Sequence, residues 1–173
     1  MKKNIATLFG FISLASGSIW IGAYIARLLV IYQMFEPTEL ILKSYINQNN
    51  LTAIYETILP LYNLTFFAYI VLIISFTAYL LSTELKFRQN GWLFIITMII
   101  YLTLPFEIIL LTIDYKIILL FLNQQFGSDE ILSLITERIT RLSSFPIILV
   151  LSFLTIPFFL VAKPFTMIPK NEN

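Results

Sequence analysis

Arg27 and Glu107 are the charged residues set deep inside long apolar runs, and a guanidinium or carboxylate in hydrocarbon calls for a partner. Arg27 lies seven residues before Met34 and Glu107 seven residues before Asp114, near the outer ends of the first and third apolar segments. At about 1.5 Å of rise per residue, both charges fall at similar depth, roughly 10 Å inside the outer boundary. Matched depth predicts an Arg27–Glu107 salt bridge between neighbouring helices, because pairing offsets much of the desolvation that either charge would suffer alone. Tyr24, Asn63 and Thr103 are candidates for the same polar layer. Pro105, just ahead of Glu107, removes a backbone donor and can free a carbonyl there. Two other readings compete with the bridge. Arg27 is long enough to snorkel toward head groups, which Glu107 is not. Alternatively, the two charges line a path for an ion or proton, or meet a lipid or quinone head group. With no second acid inside the membrane to continue a proton path, the structural bridge is the preferred reading.

The composition excludes most other chemistry. Of 173 residues, 58% are apolar and 12% charged, well outside the range of soluble domains. There is no Cys and no His, which removes disulfides, Cys- or His-ligated metal, thiol chemistry and any triad that needs an imidazole. The net charge of +1 comes without a basic stripe, so nucleic acid is not an expected partner. Glycine-rich phosphate loops and nucleophile elbows are absent from the sequence. No cofactor is expected; a bound lipid or quinone stays open.

A bilayer crossing needs about 20 mostly apolar residues. Four such stretches occur, at approximately 8–34, 61–82, 92–113 and 145–162. Lys2 and Lys3 ahead of the first resemble a signal peptide, but the apolar run continues to Phe35 without a convincing cleavage site, so an uncleaved helix is expected. The N-terminal residues, the 82–91 loop and the C-terminal tail together carry a net +4, against −3 for the two opposite segments. Short basic segments stay inside, so both termini are expected in the cytoplasm, with the chain in a bacterial inner (plasma) membrane.

The segments 38–59 and 114–144 read as helical extensions on the extracytoplasmic side. Thr38 can cap a short helix with Glu39 in its first turn. The Asn47-Gln48-Asn49-Asn50 run interrupts the pattern before helix resumes at Thr52. Gly127 stops the third helix, and Ser128 with Asp129 and Glu130 starts another, whose Ile131, Leu132, Ile135, Ile139 and Leu142 recur at spacings of 3 or 4. On the first helix Ser18, Gly22 and Ala26 form a small-residue stripe suited to close helix packing, with Ser13 and Gly17 as a second pair. Pro146 and Pro157 bend the fourth crossing or start its turns.

The sequence thus implies an all-α fold: a polytopic membrane protein with residues 1–173 as a single domain, a bundle of four transmembrane helices. Lacking catalytic vocabulary, it reads as a non-catalytic accessory or assembly-type subunit of a larger membrane complex, with other membrane subunits and lipids as partners. The alternatives are a small transporter or channel with Arg27 and Glu107 lining the path, and a lipid- or quinone-interacting membrane enzyme.

Overall fold

The computed structural model describes residues 2–37, 40–123, 128–142 and 144–167. The chain is an all-α integral membrane protein. Its elements are α1 (Lys2–Tyr32), α2 (Gln48–Ser82), α3 (Gly91–Leu122), α4 (Ser128–Thr140), α5 (Phe145–Leu154) and α6 (Ile156–Ala162). Four stretches are long and apolar enough to cross a bilayer: Asn4–Tyr32, Asn49–Ser82, Gly91–Leu122 and Phe145–Ala162, the last being α5 and α6 in succession.

The first three helices are too long for the membrane alone. With 31, 35 and 32 residues, each extends for about 45–52 Å, against a hydrocarbon thickness of about 30 Å. Antiparallel α1 and α2 set the register: Gly10 meets Tyr79 and Gly17 meets Leu72. The interior accordingly divides into two apolar cores stacked along the bundle. One, toward the end that carries the α2–α3 connection, gathers Trp20, Tyr69, Leu72, Phe76, Leu93, Ile96, Leu149 and Phe153. The other, at the distal end, gathers Ile31, Met34, Tyr55, Ile58, Ile113, Ile117, Ile131 and Ile135. The distal core contains α4 and no part of α5 or α6. There the ends of α1, α2 and α3 pack against one another and against α4.

The link from α1 to α2 corrects one expectation. Residues 40–46 are not helical; the chain turns back on itself, with an antiparallel bridge between Phe35 and Leu42. The Glu36 N–H donates to the Ile41 carbonyl at 2.9 Å and the Lys43 N–H to the Met34 carbonyl at 3.0 Å. Met34 and Phe35 are thereby buried in the distal core, satisfying both the apolar side chains and the backbone. The expected cap by Thr38 and Glu39 lies outside the described residues, as does the stop at Gly127.

The asparagine run also behaves differently. Rather than interrupting helix, it begins α2. Asn47 is the N-cap: its side chain accepts from the Asn49 N–H at 3.0 Å, while the Asn50 side chain accepts from the Asn47 N–H at 2.8 Å. Two otherwise orphaned donors are satisfied reciprocally, and α2 then runs unbroken through Pro60.

Proline does shape the last crossing. Pro146 occupies the first turn of α5, where its missing N–H costs nothing. Pro157 cannot return a hydrogen bond to the carbonyl four residues earlier, and the helix breaks at Thr155 before resuming as α6. Beyond α6 the chain reverses through left-handed Lys163 (φ 42°) and Phe165 (φ 60°). It then pairs with the start of α3: the Gly91 N–H donates to the Phe165 carbonyl at 3.2 Å and the Met167 N–H to the Gln89 carbonyl at 2.9 Å. A Cβ on Gly91 would sit 2.8 Å from the Phe165 Cβ, so this position needs glycine. Replacing Gly91 with Val should displace the 163–167 segment, costing about 1–3 kcal/mol of stability. Amide exchange at Met167 should accelerate while that of the α1–α2 pair stays unchanged.

Candidate functional site

Between the two apolar cores lies a layer of ions. On α1, Arg27 falls between Tyr24 of one core and Ile31 of the other; on α2, Thr65 falls between Tyr69 and Tyr62. On α3, Glu107 and Asp114 are seven residues apart, two turns along one face, and α4 contributes Arg138 one turn beyond Ile135. All four charged side chains are at least 96% shielded, with relative exposures of 1%, 2%, 1% and 4% for Arg27, Glu107, Asp114 and Arg138.

Asp114 is the hub. Its Oδ2 accepts from Arg27 Nη1 at 2.8 Å and its Oδ1 from Arg138 Nε at 2.6 Å. Arg27 Nη1 also donates to the Thr65 hydroxyl at 2.8 Å, and that hydroxyl in turn donates to the Leu61 carbonyl at 2.8 Å. Two rings complete the enclosure. The Tyr24 ring lies 5.2 Å from the Arg27 guanidinium and 5.4 Å from that of Arg138, while Tyr62 lies 4.9 Å from Arg27. Desolvated guanidiniums over aromatic faces gain substantially from the ring quadrupole. Burial opposes the charge on Arg138. Asp114 beside it, with Tyr24 and Glu107, more than compensates and raises its pKa above the ordinary arginine value. A raised pKa adds stability that would be lost only as pH climbs past the ordinary arginine range, so Arg138 stays a fixed cation under all usual conditions.

The structure thus re-pairs the residues singled out from sequence. Arg27 reaches Asp114 rather than Glu107, and the cation facing Glu107 is Arg138, whose Nη2 lies 4.0 Å from Oε2. At that distance the contact is electrostatic and is not a hydrogen bond. Both Glu107 oxygens, Arg138 Nη2 and Arg27 Nε are buried without a hydrogen-bond partner among the described residues. The reason for the re-pairing is register. Glu107 and Asp114 share a face two turns apart, and α3 does not end at Asp114 but runs on to Leu122. The carboxylate level with Arg27 is therefore the upper one.

Tyr24 belongs to the layer as expected from its position, fully buried between the two cations. Thr103 is buried, but its hydroxyl bonds back to the Ile99 and Ile100 carbonyls. Asn63 is only half-buried, and the acceptor that α2 offers to Arg27 is Thr65. Asp114, Arg138, Thr65 and Tyr62 escaped the sequence reading. One signal for Arg138 was available: it follows Ile131 and Ile135 on the stripe that continues to Leu142, and a charge on an apolar stripe is anomalous. Asp114 looked like a residue of an aqueous segment because the apolar run appears to end there.

The small-residue stripe falls elsewhere too. Ser18 and Gly22 are exposed, Ala26 is partly buried, and a Cβ on Gly22 would meet nothing within 4 Å. Close helix approach occurs instead at Gly10 and Gly17, where an added Cβ would lie 3.2 Å from Tyr79 and 3.4 Å from Leu72. Gly10 and Gly17 are seven positions apart on one side of α1, and Ser18, Gly22 and Ala26 sit on another.

No protein-family model, curated protein or solved structure matches the chain. Function therefore rests on the geometry. Each Asp114 oxygen accepts from a guanidinium and Glu107 faces one of them, so the layer sets two guanidiniums against two carboxyl groups. Among the described residues, no three Asp, Glu, His or Cys side chains are grouped as a metal site. What the arrangement does physically is tie α1, α2, α3 and α4 together at one level.

Proposed function

We propose that the chain is a non-catalytic accessory or assembly-type subunit of a larger membrane complex. The observation that carries this reading is the apolar surface at the distal end. Tyr32, Ile41 and Tyr45 have relative exposures of 50%, 58% and 62%. The Tyr45 hydroxyl donates to the Gln33 carbonyl, bringing the 40–46 turn beside the end of α1. These residues stand past the ion layer, where α1–α3 exceed the bilayer thickness, and exposed apolar patches outside lipid mark sites of protein association. The ion layer supports the same reading: its charges are enclosed and both guanidiniums bind Asp114, which suits a rigid support better than a path for solute. The orientation that accompanies it keeps both termini in the cytoplasm of a bacterial cell, supported by the net +4 on the terminal-end segments.

Mild-detergent extraction tests the proposal. One or more larger membrane polypeptides should co-purify in fixed stoichiometry. Ile41→Glu, on the exposed distal surface, should cut that recovery about tenfold, the equivalent of about 1.4 kcal/mol. It should alter neither membrane insertion nor the chain's own melting temperature. Purification of the chain alone from its native membrane, under conditions that keep other complexes intact, would refute the reading.

A further inference from the structure

The bundle is not closed along its whole length. Among the described residues, α6 packs on α3 and α5 but makes no close backbone approach to α1, and it buries none of its own residues. The break at Thr155–Pro157 separates α6 from the line of α5. On the facing side, α1 lines the opening with Gly10, Ser13, Gly17 and Ser18. The result is a lateral groove of about 280 Å³ between α1 and α6, floored by Trp92 of α3 and walled by Pro157 and Leu160.

Two features of the groove point to a ligand with a polar end. Trp92 is 94% shielded, yet its indole N–H has no hydrogen-bond partner among the described residues. Such a buried, unpaired donor is costly unless something accepts from it. The exposed Lys163 ammonium lies 5.8 Å from the centroid of the same indole ring, held there by the left-handed turn that caps α6. Lys86 and Arg88, in the loop before α3, make this end of the bundle basic as well. An apolar slot, an interfacial tryptophan N–H and a lysine at the mouth match, in order, the acyl chain, ester carbonyl and phosphate of a phospholipid.

We propose that this groove is a binding site for one anionic phospholipid of the leaflet at the terminal end of the bundle. One acyl chain lies between α1 and α6, the Trp92 indole donates to an ester carbonyl, and Lys163 pairs with the phosphate. Occupancy closes the gap between α1 and α6 and satisfies the indole.

The chain has two tryptophans, Trp20 and Trp92, so fluorescence can report on the site directly. The full chain carrying Trp20→Phe is reconstituted in vesicles containing acyl-brominated phosphatidylglycerol or acyl-brominated phosphatidylcholine at equal mole fraction. Quenching of Trp92 should favour the anionic lipid by about fivefold in apparent affinity, the worth of one lysine at an anionic lipid surface. Lys163→Gln should abolish the preference, and Ser18→Phe, which narrows the groove, should reduce it. The Trp92→Phe chain, reporting from Trp20, should show none. Native mass spectrometry of the unsubstituted chain should retain a single anionic phospholipid, whatever the variants do to folding. Equal quenching by the two lipids, or a preference that Ser18→Phe leaves undiminished, would overturn the proposal. So would protection of Trp92 from both lipids in a dimeric chain, since a second copy would then fill the groove.

Discussion

Asp114→Asn should be the most damaging single substitution in this protein. It leaves Arg27 and Arg138 buried at 1% and 4% exposure with the carboxylate that bridges them gone. Glu107 is too far from Arg138, at 4.0 Å, to take over the lost hydrogen bonds. Breaking a buried ion pair from one side typically costs about 3–5 kcal/mol, because the orphaned charge stays desolvated. The loss should appear as a lower midpoint in denaturing-detergent titration and as faster amide exchange in α4, whose attachment to α3 includes the Arg138–Asp114 bond. Removing the ions together is a different case. A triple change of Arg27, Asp114 and Arg138 to apolar residues of similar volume should be far less destabilising than Asp114→Asn alone, since no charge is then left uncompensated. If Asp114→Asn is neutral, the ion layer contributes nothing to holding the four helices together.

Trp20→Ala should produce a loss of similar size by an unrelated route. Trp20 is 1% exposed, and its ring contacts Tyr24, Tyr69 and Phe153 at centroid distances of 5.2, 5.0 and 4.6 Å. It joins α1, α2 and α5 in the membrane-embedded core, where α5 has few other ties to α1. Truncating a buried tryptophan costs about 3–5 kcal/mol through lost contacts and the cavity left behind. Trp20→Phe, which keeps a ring at the centre, should cost markedly less. Because Trp20 and Asp114 stabilise different cores, their effects should add in the double variant, and strong non-additivity would show that the two layers do not act independently.

The sequence by itself determined the class of the protein. Four apolar runs of sufficient length, 12% charged residues and no Cys or His dictate a helical membrane bundle, because only internally hydrogen-bonded segments survive in lipid. It also marked Arg27, Glu107 and Tyr24, because a polar group in an apolar run is visible without knowing its neighbours. Local pattern was weaker at the 40–46 turn and the asparagine cap. There the choice between helix and return depends on where Met34 and Phe35 are buried and on which N–H groups need acceptors.

Only the tertiary structure decided the pairings. Which carboxylate meets Arg27 depends on the axial offset between α1 and α3 and on how far α3 continues past the bilayer, and a shift of two turns exchanges Glu107 for Asp114. Arg138 enters the layer only because α4 folds back along α3, bringing residues 24 positions apart into contact. The face of α1 that approaches α2 was likewise open, since several small-residue stripes coexist on one helix and side-chain packing against Leu72 and Tyr79 selects among them. Whether a segment enters the membrane is a property of that segment alone and is written in its composition. Rotation and register are properties of pairs of segments, set by packing that no single segment encodes.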